Sequence, residues 1–175
     1  MPEHPGFNLS EITGRSIVRL RVRPKEAIAA AEALQLPQRA LQSRGGDPAS
    51  CWLGPDQWLI TSDTTPAEEI VSHIGRKLTA QLYAATDMSS SYMCFALSGP
   101  AVRTVLAMGC GIDMHASAFR TGQCVRTHFA KVLLLIVAVE HNRFDLYVDR
   151  SQARYLRDWL ADAGEDPLTR ELELK

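Results

Sequence analysis

The densest group of reactive side chains in this 175-residue chain is Cys110-Gly-Ile-Asp113-Met-His115, with Cys124 downstream. Thiolates, an imidazole and a carboxylate are donors that surround Zn²⁺, yet C-x-x-D-x-H is not a zinc-site spacing and Asp is an uncommon ligand in structural sites. The competing reading is a loop in which Asp113 and His115 bond backbone groups while the cysteines pack as small apolar side chains. For nucleophilic catalysis, Cys110 or Cys124 would have to meet His115 or His128, a proximity that their spacing does not supply. G-x-S-x-G, H-E-x-x-H, the P-loop and G-x-G-x-x-G are all absent from the chain. Ser89-Ser90-Ser91 after Asp87 offers hydroxyls but reads as a polar bend. These residues point away from an unaided enzyme.

Two further groups could recognise a ligand or partner. Arg19, Arg21 and Arg23 lie at alternate positions, and guanidinium forks match carboxylates; the same charges on an outer strand face also guard a sheet against edge pairing. Trp52 and Trp58 flank Gly54-Pro55-Asp56 in WLGPDQWLIT. Glycine and proline there make a reverse turn, so the tryptophans read as core or as a cross-strand aromatic pair rather than a ligand platform.

Nineteen Lys and Arg against twenty Asp and Glu give a net charge of -1, and 46% of residues are apolar. Such a balance provides no global basic field for nucleic acid, and the length suffices for a real core. The four cysteines form no C-x-x-C pair, and the N-terminus MPEHPGFNLSE shows neither a basic n-region nor an apolar h-region. Reduced thiols and a cytoplasmic location are therefore expected. The longest apolar run, Val132 to Val139, is too short to cross a bilayer as a helix and reads as a buried strand. Asn8-Leu9-Ser10 matches a glycosylation pattern only by spelling.

The elements that must position these groups follow from periodicity. After a polar N-terminal arm, SIVRLRVR (Ser16 to Arg23) alternates as a strand with a basic outer face. Pro24 opens an Ala-rich helix whose expected apolar side is Ile28, Ala31 and Leu34. Beyond the QSRGGDPAS loop and the tryptophan hairpin, Thr65, Pro66 and Glu68 read as the cap, first helical position and capping-box acid of a helix striped by Ile70, Val71, Ile74 and Leu78. Strands QLYAATDM and SYMCFALS precede a helix opened by Gly99-Pro100 and carrying Val102, Val105 and Leu106. Strands around CVRTHFA, KVLLLIVAV and FDLYV follow, and a helix from Ser151 to Ala163 stops at Gly164.

The order repeats. WLITSDTTPAEEIV lies over FDLYVDRSQARYLR, pairing Trp58 with Phe144 and Asp63 with Asp149 (144 − 58 = 149 − 63 = 86), and Pro24 lies over Pro100 at an offset of 76. The chain thus reads as an α+β protein of internally duplicated strand-helix-hairpin-helix units with largely antiparallel sheets. The expected organisation is one domain over 1–165 made of pseudo-repeats at about 16–79 and 80–164, with 166–175 as a polar tail that frays or orders against a partner.

Two passages resemble a known family, the gamma subunit of heterotetrameric sarcosine oxidase: Trp52 to Leu59, and Leu97 to Ala101 running through Val105 to His115 into Phe119, Gly122, Cys124, Thr127 and Ala130. The resemblance extends from about Ser16 to Gly164. More broadly, A-L-S-G-P-A is similar to the A-L-Q-G-P-K-A segment of the glycine-cleavage aminomethyltransferase and its folate-binding relatives, whose folate-binding domain is a duplicated α+β unit. Ser98 stands where those relatives carry Gln, and their G-Y-T-G-E-x-G-F-E signature is reduced to Arg143-Phe144-Asp145.

The resemblance implies a structural or assembly subunit of an oxidoreductase complex. That complex demethylates sarcosine to glycine and passes the one-carbon unit to tetrahydrofolate. It implies alpha, beta and delta partner subunits, chiefly alpha, with FAD, FMN, NAD, tetrahydrofolate and zinc on those partners. It assigns this chain no catalytic, cofactor-binding or metal residue. Nucleic acid and membrane are not expected partners. The interface is expected to use the Cys110 to Phe119 loop or the N-terminal arm, with Phe119→Asp weakening assembly unless that side chain is internal. A free-standing folate-binding or one-carbon-transfer protein, or a subunit of a related N-methyl amino acid oxidase, is the alternative.

Overall fold

The structure, a computed structural model, describes residues 6–165, so the polar tail expected at 166–175 lies outside the described residues. In chain order the elements are β1 (Asn8–Ile12), β2 (Ser16–Val22), α1 (Ala27–Leu34), β3 (Ser43–Arg44), β4 (Ala49–Gly54), β5 (Gln57–Ser62), α2 (Ala67–Lys77) and β6 (Tyr83–Asp87). The second series is β7 (Tyr92–Ser98), α3 (Val102–Gly109), β8 (Cys124–Phe129), β9 (Val132–Glu140), β10 (Arg143–Asp149) and α4 (Ala153–Glu165). One compact unit is Gly14–Tyr92; the other joins, among the described residues, 6–13 to 93–165.

Each unit holds one five-stranded antiparallel sheet, ordered β3-β4-β5-β2-β6 in the first and β8-β9-β10-β7-β1 in the second. The two orders correspond strand for strand. Gln57 opens β5 and Arg143 opens β10 (143 − 57 = 86), Ala67 opens α2 and Ala153 opens α4 (153 − 67 = 86), and Val22 and Ser98 close β2 and β7 (98 − 22 = 76). The duplication read from the sequence is therefore a duplication of structure, at the same offsets.

The fifth strand of each sheet is where chain order and sheet order part. β6, which by sequence opens the second half, pairs antiparallel with β2, setting Ala85 against Leu20. β1, from the N-terminal arm, pairs antiparallel with β7, setting Leu9 against Leu97. Each half begins with an edge strand that completes the other half's sheet. Only Leu9 of β1 is buried, so its own pattern carries no period-2 signal and pairing with β7 decides its conformation.

In the first unit the core joins Val18, Leu20 and Val22 of β2 to Trp58 and Ile60 of β5 and to Ile70, Ile74 and Leu78 of α2 and its C-terminal end. Burying an aliphatic side chain of this size contributes about 1.5–3 kcal/mol, so the α2 stripe is the main tie between helix and sheet. The capping box read at Thr65 to Glu68 is not formed. Ser62 Oγ accepts from the Thr64 and Thr65 N–H groups at 3.1 and 2.7 Å, and Pro66 precedes the helix with no side-chain cap.

Ile28 also departs from expectation, being 71% exposed where the apolar side of α1 was placed. A 3-10 turn over Pro24–Glu26 precedes α1, and its tighter winding turns Ala27 and Ala30 inward beside Ala31, which is buried as expected.

The second unit's core joins Phe7 and Leu9 to Phe95 and Leu97, to Val102, Val105 and Leu106 of α3, to Leu134, Ile136, Phe144 and Leu146 of the hairpin, and to Leu156 and Leu160 of α4. Gly164 does not stop α4 but lies within it, and a β-carbon there would overlap the Phe7 ring. The glycine is a packing site for the N-terminal strand.

Candidate functional site

The segment between α3 and β8 carries the candidate chemistry. Cys110 caps α3 in extended conformation, its N–H bonded to the Leu106 carbonyl. Its thiol is half-buried and donates to the same carbonyl at 3.2 Å, and burial pushes its pKa up. A raised pKa lowers the thiolate fraction, so Cys110 is set for packing rather than attack.

The next residues bond to one another. Asp113 Oδ1 accepts the His115 N–H at 2.8 Å, His115 Nδ1 lies 2.7 Å from Ser117 Oγ, and the His115 carbonyl accepts from the Ala118 and Phe119 N–H groups at 2.9 Å. The carboxylate and imidazole thus hold a turn. Cys124 is buried at the start of β8, while His128 is exposed further along that strand. The four cysteines are thiols, and among the described residues no three His, Cys, Asp or Glu side chains come together as a metal site. Ser89 repeats the local pattern, with its N–H and Oγ bonded to Asp87 Oδ1 while its oxygen accepts the Ile17 N–H at 2.9 Å.

Arg103 of α3 organises the segment, and it was not singled out from the sequence. Its Nη1 donates to the carbonyls of Met114 at 2.6 Å and Phe119 at 3.0 Å. Nε and Nη2 both donate to the His141 carbonyl in the β9–β10 turn, at 3.0 and 2.7 Å. The guanidinium carbon lies 4.9 Å from the centroid of the Phe144 ring, and the Phe119 ring stacks beside Phe144 with centroids 6.3 Å apart. Burial lowers the Arg103 pKa, but from so high a starting value the group stays charged. Pro100, Arg103, Ile112, His115 and His141 line a shallow groove of about 610 Å³ here.

The duplication explains this arrangement. Trp58 occupies in the first unit the position of Phe144 in the second, and its Nε1–H donates to the Pro37 carbonyl at 2.7 Å, tying down the chain that follows α1. Phenylalanine has no such donor. Arg103, at the α3 position that corresponds to Ala27 (103 − 76 = 27), lies over the ring and supplies the hydrogen bonds instead. Both units therefore anchor the segment after their first helix beside this ring, the first from Trp58 of the sheet and the second from Arg103 of α3.

The other sequence candidates fall apart into local roles. Trp58 is buried while Trp52, opposite it in register, is half-buried. Arg19 Nη2 donates to Gln57 Oε1 at 2.7 Å and Arg21 Nε pairs with Asp56 at 3.3 Å, so two of the three stripe arginines brace the hairpin. A cleft of about 840 Å³ beside α2 is lined by Leu34, Arg44, Ile70 and His73, among others. There Arg44 Nη1 donates to the Gln35 carbonyl at 2.7 Å and closes the end of α1.

The Leu97 to Ala101 passage packs on the chain itself. Gly99 adopts φ +121°, a β-carbon there would fall 2.8 Å from the Gly6 carbonyl oxygen, and the Ala101 N–H donates to that oxygen at 2.9 Å. The Gly6–Phe7 backbone thus fills the space over this turn.

A duplicated α+β unit of this topology places the chain in the aminomethyltransferase-like fold class. It superposes with a TM-score of 0.66 on glycine cleavage system aminomethyltransferase T from Bartonella henselae, at 14% identity, covering 89% of this chain and 45% of that one. The chain belongs to the sarcosine oxidase gamma subunit family, whose model matches residues 23–166. It is 28% identical over 140 residues to sarcosine oxidase subunit gamma of Corynebacterium sp. (strain U-96), covering 78% of this chain and 67% of that relative. A chain of the heterotetrameric sarcosine oxidase from Corynebacterium sp. U-96, solved in complex with pyrrole 2-carboxylate, superposes with a TM-score of 0.82 at 24% identity over 93% of this chain and 86% of that chain. No helix among the described residues is long and apolar enough to cross a membrane.

Proposed function

We propose that this chain is the structural gamma subunit of a cytoplasmic heterotetrameric sarcosine oxidase, assembled with alpha, beta and delta chains and chiefly with alpha. In this reading the sarcosine-oxidising chemistry, the flavins, NAD, tetrahydrofolate and zinc belong to the partners, and the chain is one domain of two pseudo-repeats. The observation that carries it is the family match over nearly the whole described chain, joined to a Cys110–Cys124 segment whose polar groups bond to one another and to Arg103. Groups committed to holding a loop supply shape rather than reactivity.

The exception attached to Phe119→Asp, an internal side chain, applies. Phe119 is 3% exposed in the core of its unit, and Phe7 and Leu9 of the N-terminal arm are buried beside β7. Neither is available as a docking side chain.

Coexpression with the products of neighbouring genes, tag pull-down and a flavin spectrum test the proposal. A yellow, stoichiometric complex that oxidises sarcosine is the expected result. A well-behaved monomer that captures none of those chains would sink it, and titration of tetrahydrofolate into that monomer would then examine the free-standing alternative.

A further inference from the structure

The sheet of the Gly14–Tyr92 unit ends on β6, and this edge differs from the other three sheet edges. β3 is two residues long, β1 carries exposed Glu11, and β8 carries exposed Arg126 and His128. Short length and charge are the devices that keep a free edge from pairing. β6 reads Tyr83-Ala84-Ala85-Thr86-Asp87, and its one charge, Asp87, is turned onto Ser89.

The direction of the free hydrogen-bonding groups follows from the ladder. Arg23 N–H donates to the Leu82 carbonyl at 2.9 Å and Met88 N–H to the Ile17 carbonyl at 2.7 Å. Antiparallel pairing alternates, so even-numbered residues of this strand bond β2, and the main-chain groups of Tyr83, Ala85 and Asp87 point away from the sheet.

Apolar surface and charge flank that edge. Leu82 is 60% exposed. Its N–H is held by Glu26 Oε2 at 2.7 Å, which brings the first turn of α1, with exposed Ile28, to the same end of the strand. Arg21, Arg23 and Lys25 are exposed along the adjoining stretch, and Arg19 and Arg21 sit opposite Thr86 and Ala84 in register. A strand added here would alternate its side chains, with carboxylates suited to the arginine face.

We propose that the β6 edge is the docking site for an extended segment of a partner subunit, alternating apolar and acidic side chains, which joins this sheet as a further strand. The proposal rests on the subunit reading above. Main-chain bonds would supply affinity, while Leu82, Ile28 and the arginine row would supply register and specificity.

Residue-resolved hydrogen exchange on the full chain, alone and in the coexpressed complex, tests it. The amides of Tyr83, Ala85 and Asp87 should exchange at least about tenfold more slowly in the complex. Ala85→Pro removes an outward N–H that the internal ladder does not use, and Leu82→Asp places a like charge against the incoming acids. Each should cut recovery of the complex at least about tenfold, a typical effect for a residue central to an interface. The unfolding midpoint of the isolated Leu82→Asp chain should stay at the wild-type value, which separates docking from folding.

A complex that forms with unchanged exchange at these amides overturns the β6 assignment and leaves the subunit reading standing. Failure of the wild-type chain to copurify overturns both. An isolated chain that dimerises, and loses the dimer with Ala85→Pro, would assign the edge to a second copy and so overturn the partner proposed here.

Discussion

Arg103→Met removes the guanidinium while keeping an unbranched stem on α3, and its cost can be worked from the contacts. The side chain satisfies three carbonyls, those of Met114, Phe119 and His141, and lies over Phe144. Hydrogen bonds from a charged donor contribute about 1.5–3 kcal/mol when buried; for a half-buried group about 1 kcal/mol per carbonyl is appropriate, or about 3 kcal/mol in all. The cation–π contact adds about 0.5–1 kcal/mol. A loss of about 3–4 kcal/mol would lower the melting temperature by about 8–12 °C at this chain length. Arg103→Lys keeps the charge but not the fork, so it should recover less than half of the loss. Urea unfolding of the purified chain measures both, with an unchanged slope as the check that only stability moved. A cost below about 1 kcal/mol for Arg103→Met, or a lysine variant equal to wild type, would refute the account of Arg103 as the anchor of the Cys110–Cys124 segment.

Two other outcomes follow from buried and hydrogen-bonded groups. Phe119→Asp puts a carboxylate in the core and should cost about 4 kcal/mol or more, reducing assembly through unfolding, whereas Phe119→Leu should cost about 1 kcal/mol and still assemble; a folded aspartate variant with wild-type melting would contradict the core placement. Hydrogen bonds from the Ser151 hydroxyl and N–H hold the Asp149 carboxyl below its ordinary range. A depressed folded pKa gives stability that is present above the unfolded carboxylate pKa and is lost as pH falls through the folded one. Ser151→Ala should therefore raise the Asp149 pKa in a carbon-detected titration and move acid unfolding to higher pH, and an unmoved Asp149 would count against the bond.

What the residues announce by themselves is what the backbone imposes locally. The buried row of Val18, Leu20 and Val22 in SIVRLRV, the Ile70, Ile74 and Leu78 stripe and the offsets of 86 and 76 all reappear in the structure. Strands and helices expose faces at fixed periods, and a duplicated unit repeats those periods. The passages Trp52 to Leu59 and Leu97 to Ala130 likewise carry the family resemblance in sequence alone, and the family model matches residues 23–166.

Tertiary structure alone decided where each face goes. Nothing in NLSEI or YAATD says that each strand completes the sheet of the other half, because edge pairing is chosen by the neighbour that needs it. Ile28 faces outward because a 3-10 turn shifts the helix phase, and Gly164 lies inside α4 because the Phe7 ring needs its empty side. Arg103 carries no motif; its role exists only where α3, the Met114–Phe119 loop and the β9–β10 turn converge, since its partners are backbone carbonyls that any sequence would offer. Sequence determined the elements, their duplication and the family. Packing decided which strands exchange, which side chains stay accessible to a partner and which polar groups are already committed, because each of these depends on residues far apart in the chain.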